Sequence, residues 1–157
     1  MQTAAAAPGP RLAPEGPATS TVSPAGEQNG PVPADPLPIL RSLCLALPQT
    51  TERLSHGEPT WFIRDKTSFV TYADHHHDDR LGFWCAAAPG VQEALVGAGA
   101  DRFFVPPYVG HRGWLGVYLD VPVDWDEIAG LVEEAYRVVA PKPLVAELDY
   151  LRSDPAP

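Results

Sequence analysis

Apolar residues recur at helical spacing in two places, at Leu40, Leu43, Cys44 and Leu47 and again at Trp125, Ile128, Val132, Ala135 and Val139. Each series lays one apolar stripe along a helix. Asp35 and Pro36 supply a cap and a first-turn proline for the first helix, and Pro48 ends it. Asp124-Trp125-Asp126-Glu127 has the spacing of a capping box for the last helix, with Val123 and Ile128 placed as a hydrophobic staple and Pro141 as the stop. Between the two helices the apolar period shortens to two. Residues 61–63 and 69–72 are rich in aromatic and β-branched side chains and predict a hairpin closed by Arg64-Asp65-Lys66-Thr67. Residues 80–86 predict a third strand, with Leu81, Phe83 and Cys85 on one face. Pro89-Gly90 opens a short helix that Gly97 and Gly99 close. Residues 102–105 suit a short strand broken by Pro106-Pro107, and residues 114–119 a last one. Strands joined by hairpins, with helices at both ends, predict an α+β fold: two layers, a mainly antiparallel sheet packed by N- and C-terminal helices.

Composition sets the boundaries of that domain. Residues 1–34 are Ala/Pro-rich, and nine of the chain's 19 prolines fall within the first 38 residues. Such a segment buries too little apolar surface to offset its ordering entropy and is expected to be disordered. The folded domain is expected over residues 35–152, with a loose tail at 153–157. Neither a secretory leader nor a membrane span is expected, because proline interrupts the alanine run and no long apolar stretch follows. The two cysteines sit in apolar series and are expected as reduced core thiols of a cytoplasmic protein.

The net charge is −9, which opposes non-specific attraction to nucleic acid. The acids are concentrated between residues 120 and 149, where eight stand against Arg137 and Lys142. Between residues 61 and 112 the balance is nearly even, so any surface for an anion is expected there. Its cations are Arg64, Lys66, Arg80 and Arg112, with His111 joining when protonated.

Three motifs invite chemistry. In His75-His76-His77-Asp78-Asp79, an extended backbone would put His75 and His77 on one face with Asp79 near them, a possible metal-ligand set. A solvated hairpin loop accounts for the same residues without a metal. Ser55-His56-Gly57-Glu58-Pro59 contains a serine, a histidine and a glutamate, but a turn into the next strand explains it without catalysis. Gly110-His111-Arg112-Gly113 surrounds two basic residues with glycines, which suits either an anion site or a basic turn. No phosphate loop, dinucleotide fingerprint or nucleophile elbow is present, and the sequence indicates neither catalytic residues nor a cofactor.

The blocks HGEPTWFIRDKTSFVTYAD, DDRLGFWC, PGVQEAL, RFFVPPYVGHRGWLGVYLD and DWDEIAGLVEEAYRVVAPK resemble the MmcQ/YjbR family over about residues 37–142. The resemblance implies a CyaY-like, that is frataxin-like, architecture. It also implies a non-enzymatic module that contacts duplex DNA through hairpins in a double-wing arrangement, and it carries no catalytic residues over. A frataxin-like binder of a metal or small ligand is the alternative that the architecture suggests.

Overall fold

The computed structural model describes residues 35–75 and 79–153. Its sheet begins with a two-residue turn. His56 and Gly57 both take left-handed backbone, with φ of 53° and 85°, and fold β1 (Thr50–Ser55) onto β2 (Glu58–Ile63). Positive φ at both central residues matches the twist of the flanking strands. A second turn, with Arg64 and Asp65 also left-handed, leads into β3 (Thr67–Asp74). The remaining strands are β4 (Leu81–Cys85), β5 (Phe103–Phe104) and β6 (Leu115–Tyr118). They form one six-stranded sheet in the order β1-β2-β3-β4-β6-β5, and every adjacent pair is antiparallel.

Cross-strand register sorts the side chains into two faces. Glu52 pairs with Trp61, Trp61 with Val70, Val70 with Cys85, and Cys85 with Leu115, so these share a face. One residue along, Arg53, Thr60, Thr71, Trp84, Gly116 and Phe104 form a row on the other face. A bulge between β2 and β3 makes Phe62 oppose Ser68 and leaves Phe69 as the extra residue. Phe69 meets Tyr136 edge-on across the layers, ring centroids 5.7 Å apart.

Helices cover the first face. The helix α1 (Leu37–Leu45) buries Leu40 and Cys44. Asp35 caps it, its carboxylate accepting from the Leu37 N–H at 3.1 Å, while Pro36 already has helical backbone. Arg41 of α1 makes a two-pronged ion pair with Glu52 (2.8 and 2.9 Å), and Glu52 also accepts from the Trp61 indole at 3.0 Å. The short α2 (Val91–Ala98) lies beside β5. The long α3 (Trp125–Val139) buries Ile128, Val132, Ala135 and Tyr136 against the sheet. The Tyr136 hydroxyl donates to the Pro48 carbonyl at 2.8 Å, tying α3 to the end of α1. A final α4 (Lys142–Ser153) buries Leu144 and Leu148 and is clamped to α3 by Arg152–Glu133 and Arg137–Asp149 ion pairs. Both cysteines are free and buried, and burial pushes the Cys85 thiol up to about 12, which keeps it protonated and inert.

The two-layer α+β fold is as expected, but three elements differ from the sequence reading. Residues 50–55 form an edge strand to which the sequence pattern assigned no element. Its polar sequence carries no apolar period because only one neighbour and little core depend on it. Pro141 does end α3, yet α4 follows at once and takes in Ser153, the first residue assigned to the loose tail. The capping box is only half made. The Asp124 carboxylate accepts from the Asp126 N–H at 2.9 Å, but Glu127 pairs with Arg102 instead of turning back to the cap. Loss of that cap in Asp124→Ala should cost about 1 kcal/mol by chemical denaturation. A neutral result would mean that the remaining first-turn contacts hold α3 by themselves. The expectations for residues 1–34 and 154–157 lie outside the described residues. Among the described residues no helix is long and apolar enough to cross a membrane.

Candidate functional site: a pocket on the open face of the sheet

The face that α1 and α3 leave uncovered carries a cavity of about 630 Å³. Its floor is the cross-strand row Thr60, Thr71 and Trp84, with Ser68 beside it. Small hydroxyl side chains keep the floor low, and Trp84 is only 8% exposed. One wall is the β1–β2 hairpin, where Ser55, His56 and Glu58 project around the tight turn. The opposite wall is the segment between β5 and β6, with Tyr108, Val109, Arg112 and Trp114.

That second wall is fixed by local chemistry. Tyr108 takes left-handed backbone (φ 68°), Gly110–Arg112 wind into a single 3-10 turn, and Gly113 (φ 84°) reverses the chain into Trp114. The Gln92 side chain of α2 donates to the carbonyls of Gly110 (2.9 Å) and Trp114 (2.6 Å), pinning both ends of the turn. A Cβ at Gly110 would crowd the exposed Val105 side chain, which would have to turn aside. The Arg112 guanidinium stands 5.4 Å from the Trp114 ring centre, and Arg112 is exposed at the rim. On the hairpin side the Glu58 carboxylate accepts from the Asp74 backbone N–H at 3.3 Å. Thr60 is almost fully buried, and its hydroxyl donates to the Glu58 carbonyl at 3.1 Å, leaving the oxygen able to accept.

The pocket joins two motifs that the sequence offered separately, Ser55-His56-Gly57-Glu58 and the run 108–114. Of the cations proposed for an anion site, only Arg112 lines it. His111 is exposed on the same 3-10 turn. Arg64 and Lys66 are exposed in the β2–β3 turn, with Arg64 Nε donating to the Gln49 side chain at 3.0 Å. The pairing of Ile63 with Thr67, Val70 with Cys85 and Cys85 with Leu115 sets that turn and the 110–113 turn at one end of the sheet. Arg80 is at the other end, where Leu81 pairs with Asp74 and Gly82 with Tyr118. It is bonded through two nitrogens to Asp120 (2.7 and 2.8 Å) and stacked 3.7 Å over the Tyr118 ring, which itself stacks on Phe104. The five cations therefore do not share one surface.

Arg80 holds the Asp120 carboxyl below the usual carboxylate range. A carboxyl lowered on folding adds stability above its unfolded value of about 4 and loses that contribution as pH falls through the lower folded value. Both side chains are about a third exposed, so the contribution at neutral pH should stay below about 1 kcal/mol. Asp120→Asn should accordingly flatten the acid limb of a stability–pH curve below about pH 4. An unchanged acid limb would show that the pair is solvated in solution.

Of the metal-ligand set, His75 is exposed and bonded to its neighbour Asp74, whose carboxylate raises the imidazole's pKa. Asp79 is exposed, and His77 lies outside the described residues. Among the described residues no group of three or more His, Cys, Asp or Glu side chains is arranged to hold a metal.

The sequence profile of the YjbR family matches residues 45–138, more than half of the chain. The chain belongs to the YjbR family. The matched region contains both pocket walls and the whole floor, and with them the HGEP turn, the aromatic strand pair and the Gly113-Trp114 step of the resembling blocks. The crystal structure of Deinococcus radiodurans protein DR2400, described as a DUF419 domain, is similar in fold, with a TM-score of 0.58 at 20% identity over 68% of this chain and 80% of that one. No curated protein matches the chain.

Two of the pocket positions had a readable signal. Thr60 borders the apolar run Trp61–Ile63 and Thr71 interrupts the run from Phe69 to Tyr72, which marks a face turned away from the core. Tyr108 and Val109 gave no such signal, since only the fold brings their loop over β3 and β4.

Proposed function

We propose that this YjbR domain is a binding module whose ligand occupies the open-face pocket. The observation that carries this is the convergence of the His56-Gly57 hairpin and the 108–114 turn over one hydroxyl-and-tryptophan floor. The cavity, about 630 Å³, is within the range for small-molecule sites, which are concave, largely apolar and supplied with a few directed polar groups. Arg112, Glu58 and the floor hydroxyls are those groups. The test is a fragment screen on the full chain by NMR, read at the four indole N–H signals. Ligands of the pocket should move Trp84 and Trp114 while leaving Trp61 and Trp125 in place. Hits that move only Trp61 or Trp125, or a screen that moves neither pocket indole, would contradict the proposal.

Duplex DNA is the second reading, favoured by one observation. Arg64, Lys66 and Arg112 lie at the same end of the sheet, and none has a carboxylate partner among the described residues. Three phosphate contacts would give a slope of about −3 in log K against log salt. The net charge of −9 should make binding weak at physiological salt. Reversing Arg64 and Arg112 to glutamate should then remove most of that slope. A protein that fails to bind duplex DNA at low salt excludes this reading.

A further inference from the structure

We infer that two copies of this chain pair β1 to β1, antiparallel about a two-fold axis at Glu52, and so join their six-stranded sheets into one. The two edges of the sheet are unlike. At one, β5 is two residues long and has α2 beside it. At the other, β1 runs for six residues, pairs with β2 without a break in register, and contains neither proline nor lysine. Its two charged side chains, Glu52 and Arg53, are already engaged by Arg41 and Asp65. Short strands, bulges, prolines and unpaired charges are what protect an edge from pairing, and β1 has none of them.

The turn chemistry says which backbone groups point outward. Ser55 and Glu58 flank a two-residue turn, so they are the bonded pair that closes the hairpin. Bonding alternates along an antiparallel ladder, which makes Arg53–Thr60 and Thr51–Phe62 bonded pairs as well. The Arg64 N–H donates to the Gln49 carbonyl at 2.8 Å, in the same phase. Thr50, Glu52 and Leu54 therefore turn their N–H and C=O groups away from β2, and among the described residues no strand lies on that side. In the monomer these groups face water.

A two-fold axis at Glu52 lets all three residues pair at once, Glu52 with the partner's Glu52 and Thr50 with the partner's Leu54. An axis at Thr51 or Arg53 pairs only two of them, and the latter sets two arginines directly opposite each other. The two Glu52 carboxylates are each held by an Arg41 guanidinium and a Trp61 indole, so the charges at the axis cancel.

Side chains fit the same register. Leu54 is 69% exposed and Leu45 43%. Helix α1 runs antiparallel to β1, because Arg41 bonds Glu52 while the Thr50 hydroxyl donates to the Cys44 carbonyl at 2.9 Å. Leu45 is four residues beyond Arg41 and on the same side of the helix. Four helical residues advance about 6 Å and two strand residues about 6.6 Å, so Leu45 comes level with Thr50. In the joined sheet that position adjoins the partner's Leu54, and the symmetric contact repeats on the other side of the axis. Two exposed leucines of each copy are covered by the pairing.

Sedimentation equilibrium of the full chain tests this. The interface is small, so the dimer should be weak and should grow with protein concentration. Leu54→Lys should weaken it by at least about tenfold, since an ammonium replaces the covered leucine. Leu54→Pro should do the same, because it removes an outward N–H and no bond to β2. Val105→Lys, an exposed position next to the other edge strand, should leave it unchanged. Register is read by oxidation of Thr51→Cys and Arg53→Cys, since Cys44 and Cys85 are buried and do not compete. In the proposed register residue 51 faces residue 53 in a non-bonded pair, at a Cα separation of about 4.5 Å that a disulfide spans. The two variants mixed should give a cross-linked dimer, and neither should cross-link alone. A chain that stays monomeric at every concentration, a dimer that survives Leu54→Lys, or a cross-link formed by either variant alone and absent from the mixed pair would overturn the inference.

Discussion

Trp61→Ala should destabilise the domain by about 4 kcal/mol, within the range for deleting a buried aromatic side chain. Trp61 is completely buried in β2, on the face covered by α1 and α3. Two losses combine. The indole leaves a cavity that β1 and α1 cannot fill, since α1 is held in place by Arg41–Glu52 and by the capping of its first turn. The indole N–H also gives up its bond to Glu52, a carboxylate that Arg41 holds below its usual pKa. Trp61→Phe separates the two. It keeps most of the volume, loses the N–H, and should cost about 1 kcal/mol. Denaturant unfolding of both variants checks this. A small effect of the alanine change would mean that the β1 edge relaxes into the space and that the α1–β1 corner is soft.

Gly82→Ala should cost about 3 kcal/mol, at the upper end for adding one carbon to a packed interior. A Cβ on Gly82 falls inside van der Waals contact with the Val117 carbonyl oxygen and close to the Tyr118 Cα. Both are backbone atoms of the neighbouring strand, so no rotamer change relieves the clash. The β4–β6 pairing must open, and it carries the Arg80–Tyr118–Phe104 stack. Gly116→Ala provides the contrast. Its Cβ would meet the Phe104 ring, a side chain that can turn aside, so the penalty should be smaller and should fall on the stack. Equal penalties at Gly82 and Gly116 would contradict this.

Much of the fold could be read from periodicity. The α1 and α3 stripes and the β2–β3 hairpin rest on many apolar positions in phase, so the pattern survives local exceptions. Edge elements were harder to read. Strand β1 reads Thr-Thr-Glu-Arg-Leu-Ser, with no apolar alternation, because its outer edge faces water and only one neighbour constrains it. Helix α4 buries just Leu144 and Leu148 and begins in a Pro-Lys-Pro run that looks like a terminus. Its position depends on ion pairs with α3, which sequence spacing does not disclose.

The candidate site was legible only in pieces. The glycines after His56 and around His111-Arg112 pointed to tight turns, as the backbone confirms. Their convergence depends on which sheet face each turn overhangs, and that depends on register. The Phe69 bulge alone changes which β3 residues face the cavity, setting Ser68 and Thr71 on the same side although they are three apart. Charge counting also grouped Arg80 with Arg112 because they are neighbours in composition. The register separates them to opposite ends of the sheet, and Asp120, 40 residues further on, engages Arg80.

The central claim is that the open-face pocket is where this domain binds its ligand, and a crystal structure of the full chain with the tightest fragment tests it most directly. The fragment should sit over Thr60 and Thr71, flanked by Val109, with a polar group within hydrogen-bond distance of Arg112. A fragment bound instead at the β2–β3 turn beside Arg64 and Lys66, with the pocket empty, would contradict it.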